Sequence, residues 1–403
     1  MSDHVVVVGA GQAGASLVAK LRALGHDGAI TLIGNEPALP YQRPPLSKKY
    51  LLGEMTAERL YLKPESFYAE NGITVRTGAE VRGIDPARRM VVLKNEETGY
   101  DLLALTTGSR PRTLPASIGG DLAGIYTVRT MADVDAMAPE FAEGRRTLVI
   151  GGGYIGLEAA AVARKMGVET VLVEMAPRIL NRVASAETAD FFRDLHAGHG
   201  VDLLEGIGLE RLTGENGRVT GAVLSDGSTL AVDFVIAGIG IVPETDLAEA
   251  AGLAIENGIA TNAHGRTSDA AIFAAGDCAS FPWADGRLRL ESVQNAIDQA
   301  EHVAGAMLGD TSPYLPKPWF WSDQYDCKLQ IAGLNTGYDQ VVTRPGTRPG
   351  GLSVWYYMGA RLLAVDAMND PKAYMTGKRW IEAGQSPAPE RLADAAVDLR
   401  AAL

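Results

Sequence analysis

Hydrophobic positions along the chain fall into short β-branched runs that end in glycine and are followed by apolar residues at helical spacing. Val5-Val6-Val7-Val8 stops at Gly9, and Leu17, Val18, Leu21 and Leu24 then recur with helical periodicity until Gly25 interrupts them. A second run, Ile30-Thr31-Leu32-Ile33, follows. This order predicts a βαβ unit with buried parallel strands and a right-handed crossover. The same arrangement returns at Thr147-Leu148-Val149-Ile150, a glycine-rich turn over 151–156, a helix carrying Ile155, Ala159, Val162, Ala163 and Met166, and the strand Thr170-Val171-Leu172-Val173.

Between the two copies, Ala104-Leu105-Thr106-Thr107-Gly108 reads as a buried strand running into a turn, and Pro111 and Pro115 mark a connector. Residues 234–240 and 271–277 are further strand-then-glycine segments. The spacing of Val293, Ile297, Ala300 and Ala304 predicts a helix from about Ser292 to Leu308. Beyond the prolines of 313–318 the period changes to alternation at 328–332, 352–357 and 362–365, with a turn at Met358-Gly359. That pattern predicts an antiparallel sheet with flanking helices.

At 403 residues the chain is long enough for two or three domains, each with its own core. Abundant glycine and few aromatic residues suit an α/β protein rich in tight strand-to-helix turns. The formal net charge of −12 argues against general attraction to nucleic-acid phosphates. Only Cys278 and Cys327 occur, too few for a disulfide framework, an iron–sulfur cluster or a four-cysteine zinc site, so any redox centre must be a bound cofactor and no metal ligands are assigned. Gly9 interrupts the first apolar run well short of a signal peptide or membrane span, and the expectation is a soluble, cytoplasmic protein without a membrane partner.

Two fingerprints carry the chemistry. In Gly9-Ala10-Gly11-Gln12-Ala13-Gly14, the first glycine permits the turn, Gly11 lets backbone approach a pyrophosphate, and Gly14 lets helix pack on strand; Glu36 then stands where ribose hydroxyls would be bound. The second copy is Gly151-Gly152-Gly153-Tyr154-Ile155-Gly156, with Glu174 in the acidic position. One glycine-rich turn is weak evidence; two, each between strand and helix and each followed by an acid, point to two dinucleotides. Glu174 favours NAD over NADP because a carboxylate repels a 2′-phosphate, although Arg178 or Arg182 folding back would reverse that preference. Gly276-Asp277 distinguishes the modules: an acid just after a strand can bind a flavin's ribityl hydroxyls, or it can simply cap its own turn. FAD is assigned to the first module and NADH to the second.

With these residues the chain resembles the two-dinucleotide-fold flavoprotein reductases, and within them the NADH-dependent ferredoxin reductases of bacterial oxygenase systems. The resemblance runs from Val5 to about Val365. It rests on both fingerprints, Arg43-Pro44-Pro45-Leu46-Ser47-Lys48, Gly238-Ile239-Gly240, Gly276-Asp277, Glu291-Ser292-Val293 and Trp319-Phe320-Trp321-Ser322-Asp323-Gln324. One departure is Thr106-Thr107-Gly108, where the family usually has Ala-Thr-Gly. The implied fold is glutathione-reductase-like α/β: two Rossmann-like domains plus a C-terminal α+β domain. Its expected limits are 1–110 and 238–315 for FAD, 111–237 for NAD and 316–403 for the last domain.

The resemblance implies contacts to FAD from Ala13, Glu36, Arg43, Lys48, Val81, Thr107, Gly108, Arg129, Gly276, Asp277, Ser292 and Val293, together with Gly9, Gly11 and Gly14 of the fingerprint. It places Gly151, Gly153, Tyr154, Ile155, Gly156, Glu158, Glu174 and Gly240 near NAD. Lys48, Glu158 and Glu291 are the candidate catalytic residues, with Lys48 expected to pair with Glu291 and Glu158 expected to hold the nicotinamide carboxamide. A helix beginning at Val293, capped by Ser292, would aim its positive end at the flavin. Trp319 and Trp321 either wall the flavin or fill an interface.

Relatives of this fold that reduce disulfides or peroxide need a redox cysteine near the first module, and residues 41–52 contain none. Electrons must then leave a reduced flavin directly, and a two-electron donor can serve a one-electron acceptor because flavin accepts a pair and releases it singly. The implied partner is a two-iron, two-sulfur ferredoxin feeding a haem monooxygenase or a ring-hydroxylating oxygenase. Arg287, Arg289, Lys317, Arg361, Lys378 and Arg379 are candidate docking charges. A rubredoxin reductase and a structural or signalling flavoprotein are the alternatives left open.

Overall fold

The computed structural model describes residues 3–403. The chain divides into two compact units, one of Met1–Arg43, Thr56–Arg110 and Ile241–Pro318, the other of Pro44–Met55, Pro111–Gly240 and Trp319–Leu403.

In the first unit, five parallel strands lie in the order Ile272–Ala274, Leu102–Leu105, Val5–Val8, Ile30–Ile33 and Ile73–Arg76. Val5, Val7, Ala104 and Phe273 face one core, and Val6, Val8, Leu103, Leu105 and Ile272 face another. Both faces are covered, which is why these runs are continuously apolar rather than alternating. The first face packs under the helices Gln12–Ala23 and Val293–Met307, through Leu17, Val18 and Leu21 against Ala300, Val303 and Ala304. Strand order reverses between Val5–Val8 and Leu102–Leu105, and ligands of open α/β sheets bind at the carboxyl ends of strands flanking such a point.

The second unit repeats the plan with parallel strands Asp202–Glu205, Glu169–Glu174, Arg146–Ile150, Phe234–Ala237 and Ile125–Tyr126, and the helix Tyr154–Lys165 follows its central strand. The strands Leu209–Glu215, Arg218–Leu224 and Thr229–Ala231 form an antiparallel sheet that the sequence reading missed. An antiparallel sheet in the order Trp319–Gln324, Cys327–Gly333, Arg361–Met368, Leu352–Met358 and Gln340–Pro345 completes this unit. The helix Pro371–Glu382 packs on it and buries Trp380 beside Trp355; Asp370 caps that helix by accepting from Ala373 N at 3.1 Å. No helix among the described residues is long and apolar enough to cross a membrane.

Candidate active site

The two fingerprints are built alike. Gly9 and Gly151 adopt φ of +116° and +103°, where a side chain would be strained, and a methyl group there would stand 2.2 Å from Thr106 O and 2.4 Å from Gly238 O. The third glycine of each copy lies against the first: a Cβ on Gly14 would meet Gly9 O at 2.1 Å, and one on Gly156 would meet Gly151 O at 2.0 Å. The middle glycines differ in kind, because nothing lies within 4 Å of a Cβ placed on Gly11 or Gly153. Neither following helix is capped by a side chain. Each therefore turns unpaired N–H groups and the positive end of its dipole toward open space, which is the donor set a dinucleotide pyrophosphate requires.

The acids that follow are held differently. Glu36 accepts from Arg43 Nη2 at 2.6 Å and from the Tyr41 hydroxyl. Glu174 accepts from Gly152 N and Ala176 N, both at 2.7 Å, so it is fastened to the backbone of its own fingerprint. Each oxygen retains a further lone pair for a ribose hydroxyl. Arg178 donates to the carbonyls of Ile179, Ala184 and Ser185, which fixes it in its own loop. Met175 is 80 % exposed beside Glu174, an apolar surface at the mouth of the second fingerprint.

In the first unit the structure brings Asp277 to the first fingerprint. A Cβ on Gly276 would lie 3.1 Å from that of Ala13, Gly276 N donates to Gln299 Oε1 at 2.9 Å, and Asp277 Oδ2 accepts from Ser109 Oγ at 2.9 Å. Thr107 Oγ1 donates to Glu244 O at 2.7 Å, and Gly108 turns the chain with φ of +73°. Ser292 Oγ accepts from Asn295 N at 3.2 Å, so the expected cap is in place at the start of Val293–Met307. Val81 lies half-buried on the strand Val81–Asp85.

Lys48, Arg129, Trp319 and Trp321 belong to the second unit. Arg129 N donates to Asp133 Oδ2, and Thr130 and Asp133 complete a capping box on Met131–Met137. Trp319 and Trp321 are half-buried with ring centres 5.5 Å apart. The ring of Tyr154 packs against Phe320 with its hydroxyl buried, while Ile155 is exposed and Gly240 takes φ of +95°.

Lys48 and Glu291, expected to pair, each have a partner within their own unit. Lys48 sits in a π-helical turn, Leu46–Tyr50, and its own dihedrals are not helical (φ −129°, ψ −107°). Its Nζ lies 2.9 Å from Glu158 Oε1, on the fingerprint helix of the same unit. Glu291 instead meets Arg289 Nη2 at 2.7 Å, and Arg289 Nη1 donates to Asp277 O at 3.0 Å. Burial holds the Glu158 carboxyl above the usual carboxylate range, against the opposing pull of Lys48 and of a 2.6 Å hydrogen bond from Ser322 Oγ.

Two docking candidates are corrected. Arg287 donates to Thr261 O and Ser280, and Arg289 holds the Asp277 backbone, so both fasten loops of their own unit instead of facing outward. Lys378 is paired with Glu382 along its helix, whereas Arg361 and Arg379 are exposed.

Ser109, Arg289 and Ser322 are contributors to which the sequence reading gave no part in these sites, Arg289 being taken only as a docking charge. The signal for Ser322 was available: in Trp321-Ser322-Asp323-Gln324 the polar members two apart must share one face of a strand. No such signal exists for Arg289, whose partner lies twelve residues away across a hairpin.

Both cysteines are sealed. Cys278 Sγ is buried against the carbonyls of Leu105 and Ala275, and burial raises its thiol; that of Cys327 is pushed up to about 12. Neither is a thiolate near neutral pH.

A fold with two open, glycine-lipped helix ends and an acid beside each defines an oxidoreductase working with two dinucleotides. Residues 3–300 match the pyridine nucleotide-disulphide oxidoreductase family and residues 319–403 the reductase C-terminal family. The chain belongs to the pyridine nucleotide-disulphide oxidoreductase family; it is an enzyme that uses FAD and a pyridine nucleotide. It is 44 % identical over 384 residues to a ferredoxin–NAD(P)(+) reductase of Sphingomonas sp, covering 94 % of this chain and 92 % of that one. Identity to putidaredoxin reductase of Pseudomonas putida is 40 % over 407 residues, covering 99 % and 96 % of the two chains. A crystal structure of the covalent putidaredoxin reductase–putidaredoxin complex superposes with a TM-score of 0.95 at 40 % identity, covering 99 % of this chain and 98 % of that one.

Proposed function

We propose that this protein is an NADH-dependent ferredoxin reductase that delivers electrons to a two-iron, two-sulfur ferredoxin serving a haem monooxygenase or ring-hydroxylating oxygenase. The carrying observation is the sealed state of both thiols within a fold that offers two dinucleotide sites. FAD, when bound, takes a hydride from NADH and releases the two electrons singly to a one-electron acceptor.

The first unit would hold FAD. The uncapped helix end at Gly11 would receive the pyrophosphate, Glu36 the ribose and Asp277 the ribityl hydroxyls, with Ser109 and Arg289 fixing the Asp277 turn. The positive end of the capped helix Val293–Met307 would favour negative charge on a reduced flavin. In the second unit the helix end at Gly153 receives the pyrophosphate of NADH, Glu174 its ribose, and Glu158 its carboxamide, oriented by Lys48. No general base is needed, and the residues act by positioning. NADH and a diffusing ferredoxin as reactants support a cytoplasmic location.

An anaerobic titration of the FAD-loaded protein with NADH, followed by a two-iron ferredoxin, tests the reading. NADH should bleach the flavin absorbance and the ferredoxin should restore it while becoming reduced. An oxidised flavin after NADH addition, or a reduced flavin that passes electrons to a disulfide but not to ferredoxin, would overturn it.

A further inference from the structure

Ser322 and Gln324 lie two residues apart on the strand Trp319–Gln324 and share its inward face. Both are fully buried, as is His196 on the helix Ala186–Gly198. Ser322 Oγ donates to Glu158 Oε1 at 2.6 Å, Gln324 Nε2 donates to Ser322 Oγ at 3.1 Å, and Gln324 Oε1 faces His196 Nε2 at 2.7 Å. The Tyr325 hydroxyl lies 3.4 Å from His196 Nδ1, and its ring stacks on His199 at 3.7 Å.

The direction of this chain is forced. A serine has one proton, and here the carboxylate takes it, so Ser322 must accept from Gln324. The Gln324 amide then presents its oxygen to His196, which only the Nε2–H tautomer satisfies. Burial lowers the imidazole to about 4, so His196 stays neutral near pH 7. Every donor from Tyr325 inward points toward Glu158.

We infer that Ser322, Gln324 and His196 are positioning residues that hold Glu158 as a Lys48-paired anion in one orientation for the NADH step. This rests on the reading of Glu158 as the group that meets the nicotinamide. The charged groups facing Glu158 are Lys48, which favours the anion, and Asp323, which opposes it; Tyr325 and His199 face the outer end. The amide of Gln324 neither gains nor loses a proton by ionisation at neutral pH, so the chain orients and polarises instead of conducting protons. Because burial favours protonated Glu158, each hydrogen bond donated to the carboxylate offsets part of that rise and favours the anion.

The test uses the FAD-loaded protein and the variants Ser322→Ala, Ser322→Thr, Gln324→Met and Glu158→Gln. Two readouts are taken: the pH profile of single-turnover flavin reduction by NADH, and the ¹⁵N resonances of labelled histidine. A hydrogen bond to a charged group is strong enough that losing it should move the acid limb up by about one pH unit in Ser322→Ala, and Gln324→Met, whose amide bonds Ser322 and not the carboxylate, should move it the same way by less. Ser322→Thr should restore it, Glu158→Gln should abolish the limb, and parent His196 should be the neutral Nε2–H tautomer. If Glu158→Gln keeps the parental limb, the reading of Glu158 itself fails. If that variant loses the limb while Ser322→Ala and Gln324→Met leave its midpoint unmoved, Glu158 stands and the positioning network is overturned. A parent His196 carrying its proton on Nδ1 would overturn the network independently of any variant.

Discussion

The carboxylate of Glu174 accepts the amide proton of Gly152 at 2.7 Å, tying the acid at the end of one strand to the glycine turn at the end of its neighbour. Cofactor choice and loop shape are thereby coupled. Glu174→Ala should lower kcat/KM for NADH by about 10- to 100-fold, the value of one or two hydrogen bonds to a charged acceptor. NADPH should be affected less, since removal of the carboxylate also removes its repulsion of the 2′-phosphate. Steady-state kinetics with both nucleotides decide the point; equal losses would mean that Glu174 only shapes the loop.

Lys48 is the cation beside the buried Glu158 carboxylate. Lys48→Met leaves that carboxylate in a low-dielectric site, and removing one partner of a buried pair costs on the order of 3–5 kcal/mol. The double variant Lys48→Met/Glu158→Gln should recover much of the loss, because the unpaired charge is gone. Urea unfolding of the parent, both single variants and the double variant measures this coupling.

Cys278 is buried against the carbonyls of Leu105 and Ala275 with its thiol raised. Cys278→Ala should leave NADH-driven ferredoxin reduction within about twofold of the parent, while costing about 1 kcal/mol of stability for the lost hydrogen bond and small cavity. A large loss of electron transfer in a folded variant would return a thiol to the mechanism.

Asp366 is buried, its partners among the described residues are the hydroxyls of Tyr356 and Thr188 and no cation, and burial pushes its carboxyl up to about 6. Its folded pKa therefore lies above the unfolded value of about 3.9. Between roughly pH 4 and 6 the native state keeps a proton that the unfolded state has lost, so this group adds stability as pH falls through 6 and costs stability above it. Asp366→Asn should shrink the difference in unfolding free energy between pH 5 and pH 8 by ~1 kcal/mol, measured by denaturant titration at both values. An unchanged difference would place the titration of Asp366 elsewhere.

Arg344 is buried with carbonyls as its partners: Nη1 donates to Leu392 O and Asp394 O at 2.9 and 2.7 Å, and Nη2 to Val397 O at 2.6 Å. Arg344→Met should loosen the segment 389–403 before anything else opens, seen as faster amide exchange there, with a loss of about 2–3 kcal/mol if the whole domain responds. Slow exchange retained in that segment would show that the apolar contacts of Leu392, Leu399 and Ala402 suffice.

Both βαβ units were legible because period and punctuation are local properties. Valine runs ending in Gly9 and Ile150 ending in Gly151 announce a strand meeting a turn, and the spacing to Glu36 and Glu174 follows from one crossover of standard length. Ser292 announced its helix for the same reason, since a cap and the amide it accepts from are three residues apart. The sheet over 209–231 was missed because its two outer strands, Leu209–Glu215 and Thr229–Ala231, are largely exposed, and in Arg218–Leu224 the adjacent buried pair Gly221-Ala222 breaks the alternation.

What the sequence determined by itself was therefore the pair of dinucleotide-binding turns, the acids beside them, and the lack of a cysteine pair near the first turn. What only the tertiary structure decided was partnership. Lys48 meets Glu158 and Arg289 meets Glu291 and the Asp277 backbone, while Glu158 also receives Ser322 and, through it, Gln324 and His196. Several of these contacts join residues more than a hundred positions apart, and opposite charges attract any partner of suitable sign. The choice among them is made by which backbones the packed cores bring within 3 Å, and that information is not carried by spacing along the chain.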